Sequence, residues 1–369
     1  MGIHAHTREK NETKAVNEIA ALLGGDTKGL LVYFASSAYD HAKLAAAFEA
    51  QFPGRAIGCS TAGELCSEHM GEGGMVAMLL GPDLVEDFAV AVVEHAGDKA
   101  SLTAAFRTIE AHFGQKMAHM SFEYHVGLVL VDGLSMAEEK LMENIGDATN
   151  VLFVGGSAGD DLRFEATYVS AGGRTYRNAA VLAVLYPKAP FRVVKNQSFR
   201  STGVKLTITK ADPNLRIVHE FNGAPAALAY ADALKVPLSR LPELFMSNPV
   251  GIMVNGEPFV RSPQRLEGDS VVFYCNMMEG MTVEVLKASD IVEDTRAALT
   301  EVSGTMGGVS AIVNFNCILR ALDLQRKGQV DTYRKLFKDM PTIGFSTYGE
   351  EYIGHTNQTS TMLVFGKTQ

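Results

Sequence analysis

The sequence predicts an α/β protein of two domains, with mixed sheets built from repeated β-α-β-β units. Three observations carry that prediction. The string G-x-S-T-x-G-E occurs as Gly58-Cys59-Ser60-Thr61-Ala62-Gly63-Glu64 and again as Gly344-Phe345-Ser346-Thr347-Tyr348-Gly349-Glu350, with a relative, Gly155-Gly156-Ser157-Ala158-Gly159-Asp160, between them. Each copy follows a short apolar run, so each reads as a strand that breaks into a glycine-bounded turn. The surrounding elements repeat along with the letters: a strand and a helical stretch precede each copy, and an apolar strand follows it. A crossover helix makes the first two strands of each unit parallel.

Taken in order, Asn11 to Leu23 reads as a leading amphipathic helix, with Val16, Ile19, Ala20 and Leu23 on one side and Gly24-Gly25 as its stop. The first unit has a strand from Gly29 to Ala35, a helix from Asp40 to Phe52 and a closing strand from Met75 to Leu80. A helix from Ser101 to Phe113 joins it to the second unit. There a strand runs from Val126 to Val131, a helix opens at Ser135 with Ser135 and Glu138 in capping-box spacing, and Ala180 to Tyr186 closes. Alternation from Phe191 to Val218 predicts a hairpin or small meander. Asn222-Gly223-Ala224-Pro225 then marks a boundary, giving a leading helix over 1–26, an N-terminal domain with two repeats over 27–222 and a C-terminal domain with the third over 223–369. The second half opens with helical segments (Ala226 to Leu234, Leu238 to Phe245). A hairpin follows at Asn255-Gly256, with strands at Val271 to Cys275 and Thr282 to Leu286 and a helix from Ser289 to Val302. Gly304-Thr305-Met306-Gly307-Gly308 leads into the third unit: a strand from Ala311 to Phe315, a helix between about Cys317 and Phe337, and a closing strand from Met362 to Phe365.

A 47% hydrophobic content over 369 residues allows a substantial core. The net charge of -9, with lysines and arginines scattered, argues against a nucleic-acid or anionic-membrane surface. No stretch reaches the roughly 20 apolar residues of a membrane span, and residues 1–14 lack a signal-peptide core. Four cysteines without a C-x-x-C pair fit a reduced, cytoplasmic protein with no structural zinc site.

The combination GCSTAGE, GGSAGDD, KNQSF, FNCILR and GFSTYGEEYIGHTNQTST, in this order, resembles the FIST family over nearly the whole chain. The resemblance implies a stand-alone sensory protein that binds a small molecule and signals to a separate partner such as a histidine kinase. Its ligand would be, in the specific version, heme b that detects nitric oxide, and the alternative is an amino acid or other metabolite. It implies no catalytic activity.

In a parallel unit the loops after paired strands converge, which brings Ser36 to Asp40, Asp132-Gly133 and Asn316-Cys317 each towards a signature turn. The expected ligand cradle therefore comprises Cys59, Ser60, Thr61, Glu64, Ser157, Asp160, Ser346, Tyr348 and Glu350, or these residues serve only as caps and solvated acids. Cys317 and Arg320, near a helix start, and the amides Asn196 and Asn357 join the candidates, although an isolated free cysteine is more often buried and inert. His355 is the candidate iron ligand, against the simpler role of a structural histidine; His219 and His125 are weaker. Ser157 also fits G-x-S-x-G after a strand, a nucleophile elbow, but the sequence after it reads as a hairpin and not as the required helix.

Overall fold

The computed structural model describes residues 3–24 and 28–367. Contacts gather the chain into two compact units: residues 1–196, 295–355 and 360–369 form one, and residues 197–294 with 356–359 form the other.

The first unit is three copies of one motif. Copy one contains β1 (His4–Thr7), α1 (Glu12–Leu23), β2 (Leu30–Ser36), α2 (His41–Gln51) and β3 (Ala56–Thr61). It ends with a hairpin of β4 (Glu64–Cys66) and β5 (His69–Gly71), then β6 (Met75–Leu80). Copy two repeats the order as β7 (Val85–Val93), α3 (Lys99–Phe113), β8 (Val126–Val131), α4 (Glu138–Ala148), β9 (Leu152–Ser157), β10 (Val169–Ala171), β11 (Arg174–Tyr176) and β12 (Ala180–Pro187). Copy three opens with β13 (Phe191–Gln197) and is then interrupted by the second unit.

That unit, described by itself, is an eight-stranded sheet of β14 (Phe199–Asp212), β15 (Ile217–Phe221), β16 (Ala224–Pro225), β17 (Val250–Val254), β18 (Glu257–Arg261), β19 (Pro263–Glu267), β20 (Ser270–Phe273) and β21 (Thr282–Ala288). The helices α5 (Ala226–Leu234) and α6 (Leu241–Leu244) belong to it, and Phe221, Tyr230, Phe245 and Phe273 are among its core residues. Its β17–β18 turn falls at Asn255-Gly256, as expected, with both residues at positive φ (52° and 82°).

Copy three resumes with α7 (Ile291–Thr305), β22 (Val309–Cys317), α8 (Ile318–Arg326), α9 (Val330–Arg334), β23 (Thr342–Thr347), β24 (Glu350–Tyr352), β25 (Gly354–Thr356) and β26 (Thr359–Gly366). The expected division at residue 222 thus follows the order of the chain, whereas the compact units cut it at 196 and 295. The third repeat begins at β13, whose Phe191 precedes the expected Ala311 by 120 residues, because the inserted unit separates its first strand from its second.

The three sheets run β1-β6-β2-β3-β10-β11, β7-β12-β8-β9-β24-β25 and β13-β26-β22-β23-β4-β5. Each is four strands of one copy completed by the hairpin of another: copy two lends to copy one, copy three to copy two, and copy one to copy three. The central pairs β2–β3, β8–β9 and β22–β23 are parallel, as a crossover helix requires, while the closing strands and borrowed hairpins are antiparallel. Inward residues of all three sheets, including Val32, Phe34, Leu128, Leu130, Val313 and Phe345, share one core. Phe34, Phe315 and Phe345 meet there with ring centroids 4.6 to 6.0 Å apart. Outward residues pack under helices, Tyr33 beneath α1 and α2 and Val129 beneath α3 and α4.

The structure departs from the sequence-based expectation in four places. The leading strand β1 had no expected counterpart. The signature segment is strand through Thr61, Ser157 and Thr347, not turn, because its parallel pairing with Ser36, Val131 and Cys317 continues the ladder past the glycine. The Ser135–Glu138 capping box does not form: α4 begins at Glu138, Ala137 is its N-cap without a side-chain bond, and Ser135 donates instead to the Asp132 carbonyl at 2.7 Å. The single helix expected between Cys317 and Phe337 breaks in two at Gly328, whose φ is +66°.

Candidate functional site

The shared register fixes which residues correspond. Gly58, Gly155 and Gly344 pair with Tyr33, Val129 and Asn314, and two residues on Ser60, Ser157 and Ser346 pair with Ala35, Val131 and Asn316. A Cβ at Gly155 would lie 1.7 Å from the Val129 carbonyl oxygen, and one at Gly344 2.2 Å from that of Asn314. One at Gly58 would strike the Tyr33 ring at 2.6 Å. Only glycine permits this approach.

The three signature segments do come together, and they do so by bonding to one another. Ser60 N–H donates to the Tyr168 carbonyl, Ser157 N–H to that of Gly349 and Ser346 N–H to that of Gly63, at 2.8 to 2.9 Å. Gly159, Tyr348 and Ala62 return bonds to the carbonyls of Ser60, Ser157 and Ser346 at 3.0 to 3.2 Å. Ser60, Thr61, Ser157 and Thr347 are wholly buried, and so are Cys59 and Glu350. The backbone groups of these segments bond across the joint between copies. Thr61 donates to Glu64 and Thr347 to Glu350, and Glu64 also accepts from Gly74 N–H at 2.8 Å. Burial lifts the Glu64 carboxyl to about 8 despite these bonds. Asp160 is also desolvated, yet its bonds from the Tyr348 hydroxyl and from the N–H groups of Phe164, Glu165 and Ala166 hold its pKa low.

His355 is 3% exposed and its Nδ1 lies 3.1 Å from Glu351 Oε1, both side chains buried. Burial alone would favour neutral imidazole, but the Glu351 carboxylate outweighs it and raises the histidine to about 9. The Ser157 hydroxyl faces Glu138 and Glu351 at 3.3 and 3.5 Å. It has a carboxylate neighbour where a hydrolase needs a histidine base, and a loop, not a helix, follows β9. Tyr348 is half-buried, its ring stacked on Phe164 at 5.1 Å.

A second polar cluster sits on the outward face of the third sheet. Asn314 and Asn316 occupy the positions that hold Tyr33 and Ala35 in copy one and Val129 and Val131 in copy two, where the same face is an apolar core. Asn316 Oδ1 accepts from Arg320 Nε and from the Tyr333 hydroxyl, both at 3.1 Å. Arg320 Nη2 and Asn196 Nδ2 both donate to Thr295 Oγ1, at 3.1 and 2.7 Å, and Ser360 Oγ donates to Asn314 Oδ1 at 2.8 Å. All are buried, with Arg320 at 2%. Asn314 Nδ2 is buried and has no hydrogen-bond partner. The cluster gathers Asn196, Asn316 and Arg320 from the expected candidates and adds Asn314, Thr295, Tyr333 and Ser360. Comparing the strands GLLVYFA, VGLVLV and AIVNFN would have singled out the asparagines. Cys317 is buried at the N-cap of α8, and Asn357 belongs to the second compact unit.

No group of three or more His, Cys, Asp or Glu at metal-binding separation occurs among the described residues, and no helix among them is long and apolar enough to cross a membrane. A family model described as the FIST N domain matches residues 29–224, and one described as the FIST C domain matches 226–352. The chain belongs to the FIST family. Both family boundaries lie near the expected 222, and neither coincides with a limit of a compact unit. An uncharacterized protein of Methanocaldococcus jannaschii is 22% identical over 321 residues, 81% of this chain and 62% of the relative. The chain therefore spans about three-fifths of the length of that relative.

Proposed function

We propose that the chain is a sensor, not a catalyst, that binds a small polar metabolite such as an amino acid on the outward face of its third sheet and signals to a separate protein such as a histidine kinase. The carrying observation is Asn314. An amide NH2 group without a bond, buried where the two sister strands place apolar side chains, costs about 1 to 3 kcal/mol. A ligand acceptor at that point would offset the cost. Arg320, Asn316, Thr295, Asn196 and Tyr333 supply further donors and acceptors in the same layer. Ligand binding that favours one arrangement of this layer is the signal a partner would read.

Two features weigh against heme with nitric oxide detection, the specific ligand implied by the family resemblance, at His355. Its imidazole is packed against Gly349, where a Cβ would come within 2.0 Å of Cε1, and its Nδ1 is ion-paired with Glu351. Held protonated, it offers iron no lone pair. A thermal-shift screen of amino acids and small metabolites against the wild type and Asn316→Val tests the reading, with a hemin titration followed by absorbance as the second arm. A compound that stabilises the wild type and not the variant is expected. A Soret band that disappears in His355→Ala would overturn the metabolite reading in favour of heme.

A further inference from the structure

The glycine-rich segment after α7 takes no part in the polar layer. With the corner between β12 and β13 and the end of β26, it encloses a surface groove of about 810 Å³, lined by Lys188, Pro190, Phe191, Arg192, Thr305, Met306, Gly307 and Lys367. Three of those residues are cations and none is an acid. Lys188, Arg192 and Lys367 are exposed, and none of the three forms an ion pair with a described residue. In a chain of net charge -9 this is a local reversal of sign. Lys367 is set in place by the backbone: Gly308 has φ +111°, and a Cβ there would stand 3.0 Å from Lys367 Cδ.

β13 forms one wall of this groove and is the terminal strand of its sheet. Pro190 C=O, at its start, accepts from Gly366 N–H at 2.7 Å, which ties the strand to β26 on one side. Among the described residues, no strand pairs with its other side. A terminal strand exposes a row of backbone donors and acceptors, and cations on it either repel unwanted strands or select an acidic one. The first role needs only scattered charge. Here three unpaired cations line one cavity beside the half-buried Phe191 ring.

The geometry points to this groove as a docking site for an extended acidic segment of a partner protein, which adds as a strand to β13 and places its carboxylates against Lys188, Arg192 and Lys367. The Phe191 ring receives an apolar side chain of the segment. The site needs no small ligand in the polar layer, so it stands or falls separately from the metabolite reading.

The test is fluorescence anisotropy with a labelled peptide alternating Glu and Val, its Lys-for-Glu counterpart, and an acidic peptide methylated on alternate backbone nitrogens. The acidic peptide is expected to bind the full chain and to weaken as salt rises. The double variant Lys188→Glu/Arg192→Glu should bind it at least about tenfold more weakly at unchanged melting temperature. Should that variant fail to fold, Lys367→Glu serves the same purpose. The basic and methylated peptides should not bind. Equal binding by the charge-reversed protein, equal binding of the methylated peptide, or no binding of the acidic one overturns the proposal. Binding of inorganic pyrophosphate without the peptide also overturns it, by making the groove a small-anion site.

Discussion

Glu64 and His355 are buried titratable groups that couple this fold to pH. Both bind a proton in the folded state that the unfolded chain releases earlier: Glu64 has its carboxyl lifted from 4.5 to about 8 by burial, and His355 is raised from 6.5 to about 9 by Glu351. A group that holds its proton more tightly when folded stabilises the fold below its unfolded pKa, and that stability is lost as pH rises through the folded value. Stability is therefore expected to fall steadily from pH 6.5 to 9. His41, lowered to about 4 by burial, acts in the opposite sense but has ceased to matter above 6.5. Urea midpoints measured across this range check the slope. Glu64→Gln should flatten it, and an unchanged slope in that variant would show that Glu64 is not the group involved. Removing only one partner of the buried pair, as in His355→Ala, is expected to cost about 3 to 5 kcal/mol, read as a lower urea midpoint at pH 7.

At the scale of elements, strands and helices were legible where local signals agree. β6 at Met75–Leu80 and β8 at Val126–Val131 match their expected limits because both are unbroken apolar runs inside a sheet. α1 and α2 follow from their caps, Asn11 and Asp40, each accepting an N–H at 3.1 Å. The hairpin exchange was not legible. Whether Glu64 to Gly71 pairs with its own copy or with another depends on three-dimensional closure, which leaves no trace in spacing. The polar layer was half legible: Asn316 and Arg320 stood out by residue type, while Asn314 is informative only against Tyr33 and Val129, its sister positions in the sheets. Two substitutions follow from this scale. Gly155→Ala, forced against the Val129 carbonyl, should destabilise by about 3 kcal/mol or more, seen as a drop in melting temperature or loss of soluble protein. Asn314→Val removes the unpaired Nδ2 but also strands the buried Ser360 hydroxyl that donates to Oδ1, so it should shift stability by no more than about 1 kcal/mol, and it should abolish metabolite binding. Loss of stability without effect on binding would make Asn314 a structural residue.

The first unit is three copies that exchange hairpins in a closed cycle, with the third copy interrupted in sequence. The insertion leaves and rejoins the first unit at neighbouring points, since Asn196 Nδ2 bonds to Thr295 Oγ1 at 2.7 Å. Replacing residues 198–290 with a short glycine–serine linker is accordingly expected to leave the three-copy unit folded, with a cooperative melt. A chain that cannot fold without the insertion would show that the two units are not separable. On the proposed reading, the third sheet has exchanged its apolar outer face for a ligand-binding one. Calorimetric titration of the best metabolite from the screen into the wild type, Asn314→Val and Lys188→Glu tests it most directly. The account predicts saturable binding to the wild type and Lys188→Glu and none to Asn314→Val; equal affinity for all three proteins would contradict it.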